Sequence, residues 1–404
     1  MIDYSFIDSA EFAAFWKDNE NTNPATLRLK TFKNLPFDKE AAIRQIVCRK
    51  KTRKKLPYLF NRIAYPTDVS IEQCTSEELA KFHGELFKGC SVVADLSCGL
   101  GIDAFYISQE VGKVIAVELN EEVVNAALFN FNRLGATNIS VIANDSETFL
   151  RNTERHFSAC FIDPSRRVKD DAHHRVYRIE DCSPSVTSVL SLLQGKCNFL
   201  IVKASPMVDI TQTIRDYTGI SDIWILSLRN ECKELLFKIN LDKPASTIQI
   251  HAIDINSGQR NVFSFSHEYQ KGLGNIAPLM PEKGYFALIP NVAIMKSGAF
   301  DALCNRFKLF KTADFCHLFI SQEDITMPFP GRKFIIKDIF SFSKKDISLL
   351  RETYPTANLM SYNPKLTTAE LQARLKINNG GDFYIFAILS SIDGKGHLLV
   401  CRKA

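Results

Sequence analysis

The most informative segment of the sequence reads Val92-Val93-Ala94-Asp95-Leu96-Ser97-Cys98-Gly99-Leu100-Gly101-Ile102-Asp103. A short apolar strand ends in a carboxylate, two glycines follow, and a helix begins. Such a turn places backbone N–H groups at the switch point of an α/β sheet, where nucleotides bind. The third glycine of a dinucleotide pattern is missing, and Asp95 would repel a pyrophosphate. The segment therefore favours S-adenosylmethionine, whose amino-acid end is cationic, bound by Asp95, Gly99, Gly101 and Asp103. A plain strand-to-helix turn is the alternative.

The pattern of strand, turn and helix continues along the chain. Apolar strands are predicted at 91–96, 114–118, 139–143, 159–163 and 199–203, and an antiparallel pair at 222–228 and 234–241. Near-continuous apolar strands that alternate with helices are typical of a parallel sheet covered on both faces. The predicted class is therefore α/β, a doubly wound, Rossmann-like sheet.

Polar side chains follow the ends of successive predicted strands. Glu118 comes 17 positions after Gly101, near the spacing of an acid that binds a ribose diol. Asp145 and Ser146 follow the third strand, where a side-chain acceptor can meet the adenine amino group. Asp163 follows the fourth strand. Because these strand ends share one edge of a parallel sheet, we expect the side chains to border one cleft.

Length and composition suggest several domains in a soluble protein. The chain has 404 residues and a formal charge of +5, and one core rarely exceeds about 300 residues. We predict a helical, basic region at 1–72, a catalytic domain at 73–243 and α+β domains at 244–325 and 326–404. The sequence shows no secretory signal, no membrane-length apolar stretch and no metal-binding spacing, and its eleven cysteines suggest thiols in a reducing compartment. These features predict a cytoplasmic location.

A run of basic residues lies in the N-terminal region: Arg44, Arg49, Lys50, Lys51, Arg53, Lys54 and Lys55. No acidic residue interrupts it, and at helical pitch some of its charges must face solvent. Two interpretations stay open, a solvated helix face and an arm that contacts phosphates.

Several motifs carry a resemblance to a known family. Besides the glycine turn they are Lys54-Lys55-Leu56-Pro57, Glu72-Gln73-Cys74-Thr75-Ser76-Glu77, Asp163-Pro164-Ser165-Arg166-Arg167, Glu180-Asp181-Cys182-Ser183-Pro184, Lys203-Ala204-Ser205-Pro206-Met207, Asn230-Glu231-Cys232-Lys233-Glu234 and 366–375. Residues 73–243 resemble a class I S-adenosylmethionine-dependent methyltransferase. The wider chain resembles a bacterial methyltransferase family with a ferredoxin-like domain (244–325) and a C-terminal THUMP-like domain (326–404).

The resemblance implies an RNA methyltransferase, because THUMP domains are associated with RNA binding. It places Gln73 and Thr75 against the methionine end of the cofactor, although Thr75 with Glu78 also reads as a helix capping box. It makes Asp163 the acceptor of a hydrogen bond from a target amine. Lys203, at the end of the fifth strand, is a second catalytic candidate, with an ion-pair role as the alternative.

The sequence departs from the Asp-Pro-Pro-aromatic pattern of many amino-group methyltransferases, since Ser165 and Arg166 replace the second proline and the aromatic residue. Base stacking would then come from Tyr177 or from an arginine plane. Arg166 and Arg167 suggest a clamp for a phosphate or carboxylate. Lys233 would border the same cleft.

The alternative for the two arginines is an internal ion pair with Glu180 or Asp181. His173 and His174 follow in the same loop and lack a carboxylate or cysteine at metal spacing, so we expect solvent or substrate contacts there.

The sequence thus predicts transfer of a methyl group to a nitrogen of an RNA base, in tRNA or rRNA. The expected cofactor is S-adenosylmethionine and the expected partner is RNA, without a metal ion or a membrane. Two rival functions stay open: a small-molecule methyltransferase for an anionic metabolite, and a non-catalytic RNA-binding protein on the same scaffold. The sequence does not indicate an oligomeric state.

Overall fold

The computed structural model describes residues 2–32, 34–67, 69–166, 178–243, 245–272, 278–313 and 316–404. The chain forms two compact units. Unit 1 comprises Met1–Ser221 and Leu235–Ser246, and unit 2 comprises Asp222–Glu234 and Thr247–Ala404. None of the helices in the described ranges is long and apolar enough to cross a membrane.

Unit 1 contains ten α-helices among its described residues and most of the strands of one sheet. The helices are α1 (Ala10–Asn19), α2 (Pro24–Leu29), α3 (Lys39–Thr52), α4 (Val69–Gln73), α5 (Glu77–Glu85), α6 (Ile102–Ser108), α7 (Glu121–Arg133), α8 (Ser146–Asn152), α9 (Val186–Leu193) and α10 (Ile210–Asp216). The strands are β1 (Val92–Asp95), β2 (Lys113–Glu118), β3 (Ile139–Ala143), β4 (Ala159–Ile162), β5 (Ser165–Arg166), β6 (Cys182–Ser183) and β7 (Phe199–Ala204). The chain crosses between the units within β8 (Ile220–Leu228) and β9 (Glu231–Asn240).

The sheet of unit 1 runs in the order β9-β7-β4-β1-β2-β3. Strands β3, β2, β1, β4 and β7 are parallel, and β9 pairs with β7 in the antiparallel direction. The central strands are buried along most of their length because helices follow them and cover both faces. The predicted Rossmann-like sheet is therefore confirmed.

The N-terminal helices share a core with α7. Phe12 and Phe15 of α1 and Ile43 and Ile46 of α3 are buried in one cluster with Ala126 of α7. Outside this cluster, the Asn130 side chain accepts a hydrogen bond from the Ala64 backbone N–H at 2.6 Å. The basic N-terminal region is therefore packed into unit 1.

Unit 2 contains two groups of strands. Its elements are β10 (Gln249–Asn256), β11 (Gln259–Ser266), α11 (His267–Gly272), β12 (Phe286–Pro290), α12 (Val292–Ser297), α13 (Phe300–Phe307), β13 (Phe310–Lys311), β14 (Phe319–Ser321), β15 (Gly331–Ser341), α14 (Lys344–Thr353), β16 (Asn358–Ser361), α15 (Thr368–Leu375), β17 (Phe383–Leu389) and β18 (Gly396–Lys403). Strand β10 lies between β8, to which it is parallel, and β11, to which it is antiparallel.

A seven-stranded sheet follows in the order β13-β14-β12-β15-β18-β17-β16. Its two faces bury separate clusters. One is centred on Phe334 and Phe386, and the other joins the strands to Leu350 of α14 and Leu371 of α15. Consecutive residues of β17 and β18 contribute alternately to the two clusters, so both faces of these strands are buried along their central residues. The limits of the four predicted domains stay predictions.

Candidate active site

The glycine turn has the backbone geometry that its sequence requires. Gly99 and Gly101 have φ angles of 54° and 78°, which side chains with a Cβ rarely adopt. A Cβ on Gly101 would lie 2.3 Å from the Phe131 ring, so any other residue here would have to displace that ring. Among the described residues, a Cβ on Gly99 would meet only the Ser97 carbonyl, at 4.0 Å. The space beside Gly99 is therefore open, as a cradle for a ligand must be.

Asp95 is the last residue of β1, and its two carboxylate oxygens are in different states. Its Oδ1 accepts a hydrogen bond from the Ser97 N–H at 3.0 Å, while buried Oδ2 has no hydrogen-bond partner among the described residues. Burial, followed by the negative charge of Asp103, raises the pKa of Asp95 to about 8. A buried carboxylate in this state is incompletely compensated, and a cationic group would supply what it lacks.

Glu118 connects the end of β2 to the glycine turn. Its Oε2 accepts a hydrogen bond from the Gly99 N–H at 2.9 Å, and its Oε1 accepts one from the Asn120 N–H at 2.9 Å. Each carboxylate oxygen has a second lone pair. The side chain is therefore fixed by the backbone and still able to accept hydrogen bonds from a ribose diol.

Asp145 and Ser146 follow β3 and begin α8. The Asp145 side chain caps the helix by accepting a hydrogen bond from the Thr148 N–H at 2.8 Å, and hydrogen bonds to Thr148 lower its pKa. Ser146 donates a hydrogen bond to the Leu96 carbonyl at 2.8 Å, which ties the start of α8 to the end of β1. Both residues thus lie beside the glycine turn.

Asp163 and Lys203 meet at the same edge of the sheet. Ile162 is in register with Val202, so the next residues of β4 and β7 lie side by side. The Lys203 Nζ donates a hydrogen bond to Asp163 Oδ2 at 2.5 Å. The Asp163 backbone N–H donates to Ser97 Oγ at 2.7 Å, which fixes the carboxylate next to the turn.

A buried hydrogen-bond chain continues from Lys203. Its Nζ also donates to Thr75 Oγ1 at 2.9 Å, and that hydroxyl donates to Asp103 Oδ2 at 2.6 Å. His83 Nδ1 lies 2.7 Å from Asp103 Oδ1 and is fully buried. Burial alone would raise the pKa of Asp103, but the hydrogen bond and charge of His83 lower it below its ordinary value. The chain thus links α5 and α6 to the strand edge.

The predicted capping box of Thr75 and Glu78 is wrong. Helix α5 begins at Glu77 with Ser76 as its N-cap, and Ser76 makes no side-chain capping bond. The Thr75 hydroxyl is bonded to Asp103 instead, which a local pattern cannot indicate. His83 was not among the predicted site residues, because a lone histidine on a helix with a buried apolar face gives no signal for a distant carboxylate.

The structure describes only some of the remaining predicted site residues. The side chains of Gln73 and Arg166, and all of Arg167, Tyr177, His173 and His174, lie outside the described residues. Lys233 belongs to β9 in unit 2, where its Nζ lies 2.7 Å from Glu231 Oε1. The roles assigned to these residues stay predictions. No group of three or more histidine, cysteine or acidic side chains within the described ranges could hold a metal ion.

The sheet order and the turn define the class of the protein, which has the class I methyltransferase fold. The whole chain is similar to a crystal structure described as a "putative methyltransferase from Porphyromonas gingivalis W83". The two are 27% identical, the match covers 100% of both chains, and the TM-score is 0.88. Residues 286–330 match a family of ferredoxin-like domains. The resemblance to methyltransferases and the presence of a ferredoxin-like domain are thus confirmed.

Other solved structures match only part of the chain. TrmK of M. capricolum in complex with S-adenosyl-homocysteine is 16% identical, with 41% of this chain and 69% of that chain covered and a TM-score of 0.32. An rRNA methylase from Streptococcus thermophilus is 14% identical. The match covers 41% of this chain and 95% of the methylase chain, and the TM-score is 0.29. No curated protein matches the chain.

Proposed function

We propose that the protein is an S-adenosylmethionine-dependent methyltransferase that modifies RNA, with a nitrogen of a base in tRNA or rRNA as acceptor. The observation that carries the cofactor assignment is the buried Asp95 carboxylate beside the glycine turn, because one of its oxygens has no hydrogen-bond partner among the described residues. The amino-acid end of S-adenosylmethionine carries an ammonium group, which can donate a hydrogen bond to this oxygen and compensate its charge. The end-to-end likeness to the Porphyromonas structure agrees with the assignment.

The described residues fit this cofactor. Asp95 would hold the ammonium group, the Gly99 turn would accept the body of the molecule, and Glu118 would bind the ribose hydroxyls. Asp145 and Ser146 would offer hydrogen-bond acceptors to the adenine amino group. Three further acidic groups around Asp95 contribute to its high pKa, so the site as a whole favours a cation.

When bound, the cofactor supplies a methyl group on a positively charged sulfur, a good leaving group. The protein then has to position the acceptor, because near-attack geometry provides much of the rate. The Asp163 carboxylate accepts a hydrogen bond from the acceptor amine and takes up the proton that leaves as the new bond forms. Lys203 holds Asp163 at 2.5 Å, and Thr75 holds Lys203.

RNA is the proposed substrate on two grounds. The C-terminal segment resembles a THUMP-like domain, and lysines at the end of α3 are exposed to solvent. A base would complete the site by stacking, for which Tyr177 and Arg166 stay the predicted partners. All eleven cysteines are thiols, which agrees with the reducing, cytoplasmic location that we propose.

Calorimetry with S-adenosylmethionine, S-adenosylhomocysteine and NAD tests the cofactor assignment. We expect the first two to bind and NAD not to bind, and Asp95→Ala to weaken binding while the exposed control Asp382→Ala does not. A protein that binds none of the three would support the non-catalytic rival. Filter binding to tRNA and rRNA separates the other rival, since a small-molecule methyltransferase should not retain either RNA.

A further inference from the structure

The structure divides the basic run of the N-terminal region into two sets. The residues of the first set contact other parts of unit 1. The Arg49 guanidinium is buried, with its Cζ 4.9 Å from the Phe12 ring centre and 5.0 Å from the Trp16 ring centre. Lys55 donates a hydrogen bond to a backbone carbonyl of α4 at 2.8 Å, and Arg44 lies 3.3 Å from a glutamate of α7. These three cations stabilise the fold of unit 1.

The second set faces solvent. Lys50, Lys51, Arg53 and Lys54 are exposed, and the Arg53 guanidinium lies 3.9 Å from the Glu20 carboxylate. The three lysines make no ion pair with any residue in the described part of the chain. Like charges this close repel one another, so a polyanion that neutralises them binds favourably.

Two arginine–aromatic stacks lie next to these lysines in the chain. The Arg62 Cζ lies 3.8 Å from the centre of the Tyr58 ring, and Tyr58 is 48% exposed. The Arg53 Cζ lies 5.3 Å from the Phe60 ring centre. Exposed aromatic rings and guanidinium planes are the surfaces on which unpaired bases stack, and each stacked base adds sequence-tolerant affinity.

The same segment is tied to the active site. The Tyr58 N–H donates a hydrogen bond to Glu77 Oε2 at 2.8 Å, and the Glu77 N–H donates to the Lys55 carbonyl at 3.0 Å. Glu77 is fully buried and lies two residues after Thr75, which bonds Lys203. The exposed cations and rings are therefore held on the segment that leads into the edge where methyl transfer is proposed.

We propose that a basic–aromatic patch, formed by Lys50, Lys51, Arg53, Lys54, Tyr58 and Arg62, binds a single-stranded stretch of RNA next to the modified nucleotide. The proposal rests on the RNA specificity proposed above and identifies the surface that provides it. The lysines contact phosphates, and the Tyr58–Arg62 stack receives a base. A surface without exposed rings would suit any anionic partner, so the stack is what favours single-stranded RNA.

The test is fluorescence anisotropy of a labelled twelve-nucleotide uridine RNA at several salt concentrations. Replacing Lys50, Lys51 and Lys54 together by alanine should lower the slope of log K against log salt by about 2, since each phosphate contact contributes about 0.7. A matched triple variant, Lys88→Ala, Lys113→Ala and Lys345→Ala, removes the same charge from exposed positions elsewhere and should leave the slope unchanged.

A second pair of variants tests the stack independently of charge. Tyr58→Ala should weaken RNA binding by about 5- to 150-fold, while Tyr58→Phe, which keeps the ring, should bind as the wild type does. Both variants should bind S-adenosylmethionine normally in calorimetry, so loss of RNA binding is distinguished from failure of the cofactor assignment.

Three results would overturn the proposal that this patch binds RNA. In the first, both triple variants change the salt slope equally. In the second, Tyr58→Ala binds the RNA as tightly as Tyr58→Phe. In the third, the wild type binds vesicles of phosphatidylcholine and phosphatidylserine through the three lysines and does not bind the RNA, which would assign the patch to a membrane surface.

Discussion

Raising the pH from about 5.5 to about 7 should tighten binding of S-adenosylmethionine by about tenfold per pH unit. The reason is Asp95, whose pKa is raised to about 8, first by burial and then by neighbouring carboxylates. Below that pKa the carboxyl group is mostly protonated and neutral. A cationic ligand binds the ionised form, so binding must release the proton, and this becomes easier as the pH rises.

The magnitude follows from the ionised fraction. Between one and two pH units below the pKa, that fraction grows about tenfold per unit, which corresponds to about 1.4 kcal/mol of binding free energy per unit. The window stops near pH 7 because the amino group of the ligand itself titrates near pH 8. At about pH 6.5, close to one proton should leave Asp95 for each cofactor molecule bound.

Isothermal titration calorimetry in two buffers of different ionisation enthalpy measures both the affinity and the proton release. Methylthioadenosine, which lacks the amino-acid end, is the matched ligand, and its affinity should not change with pH. Asp95→Asn is the matched variant. It should bind S-adenosylmethionine more weakly, by about 1.5 to 3 kcal/mol at neutral pH, and without the pH dependence.

The Asp95→Asn variant keeps the other ionisable groups of the site, so the difference between the two pH profiles measures the contribution of Asp95. The reasoning is refuted if wild-type affinity for S-adenosylmethionine is constant across the window. It is equally refuted if methylthioadenosine shows the same pH dependence, because the amino-acid end would then not meet Asp95.

Three other predictions follow from the contacts of the site. Glu118→Ala should weaken cofactor binding by about 1.5 to 3 kcal/mol in calorimetry, and an unchanged affinity in the folded variant would refute the ribose assignment. In urea titrations, Gly101→Ala should lower the free energy of unfolding by about 1 to 3 kcal/mol more than Gly89→Ala does. Both glycines have a positive φ angle, but only a Cβ at position 101 would meet the Phe131 ring. Equal losses in the two variants would contradict this reasoning. Thr75→Val should reduce turnover because it removes the hydroxyl that joins Lys203 to Asp103, and Thr75→Ser should restore it. A normal rate in the valine variant would remove the positioning role.

The architecture of unit 1 could be predicted because its signals are local. Apolar strands, the glycine turn and the acids at strand ends all lie within short windows, and parallel strands bring their carboxyl ends to one edge. Asp95, Glu118 and Asp163 were therefore predicted to lie together, and the structure places the three at that edge. The orphaned oxygen of Asp95 is a further detail that only the packing reveals.

Contacts between distant segments could not be predicted in the same way. Arg49 reads as one more cation of a basic run, yet the rings of Phe12 and Trp16 bury it. Thr75 fits a capping pattern, yet its hydroxyl donates a hydrogen bond to Asp103, 28 residues later in the chain. In both cases a distant partner outweighs the local preference. Asp103 accepts the hydrogen bond of the buried Thr75 hydroxyl, and aromatic rings face the buried Arg49 guanidinium.

The most direct measurement of the central claim is transfer of a labelled methyl group from S-adenosylmethionine into RNA isolated from a strain that lacks the protein, followed by nucleoside analysis. The wild type should label one base-methylated nucleoside, and Asp163→Ala, with normal cofactor binding, should label little. No label in RNA above the Asp163→Ala background, from a wild-type protein that binds the cofactor, would contradict the claim.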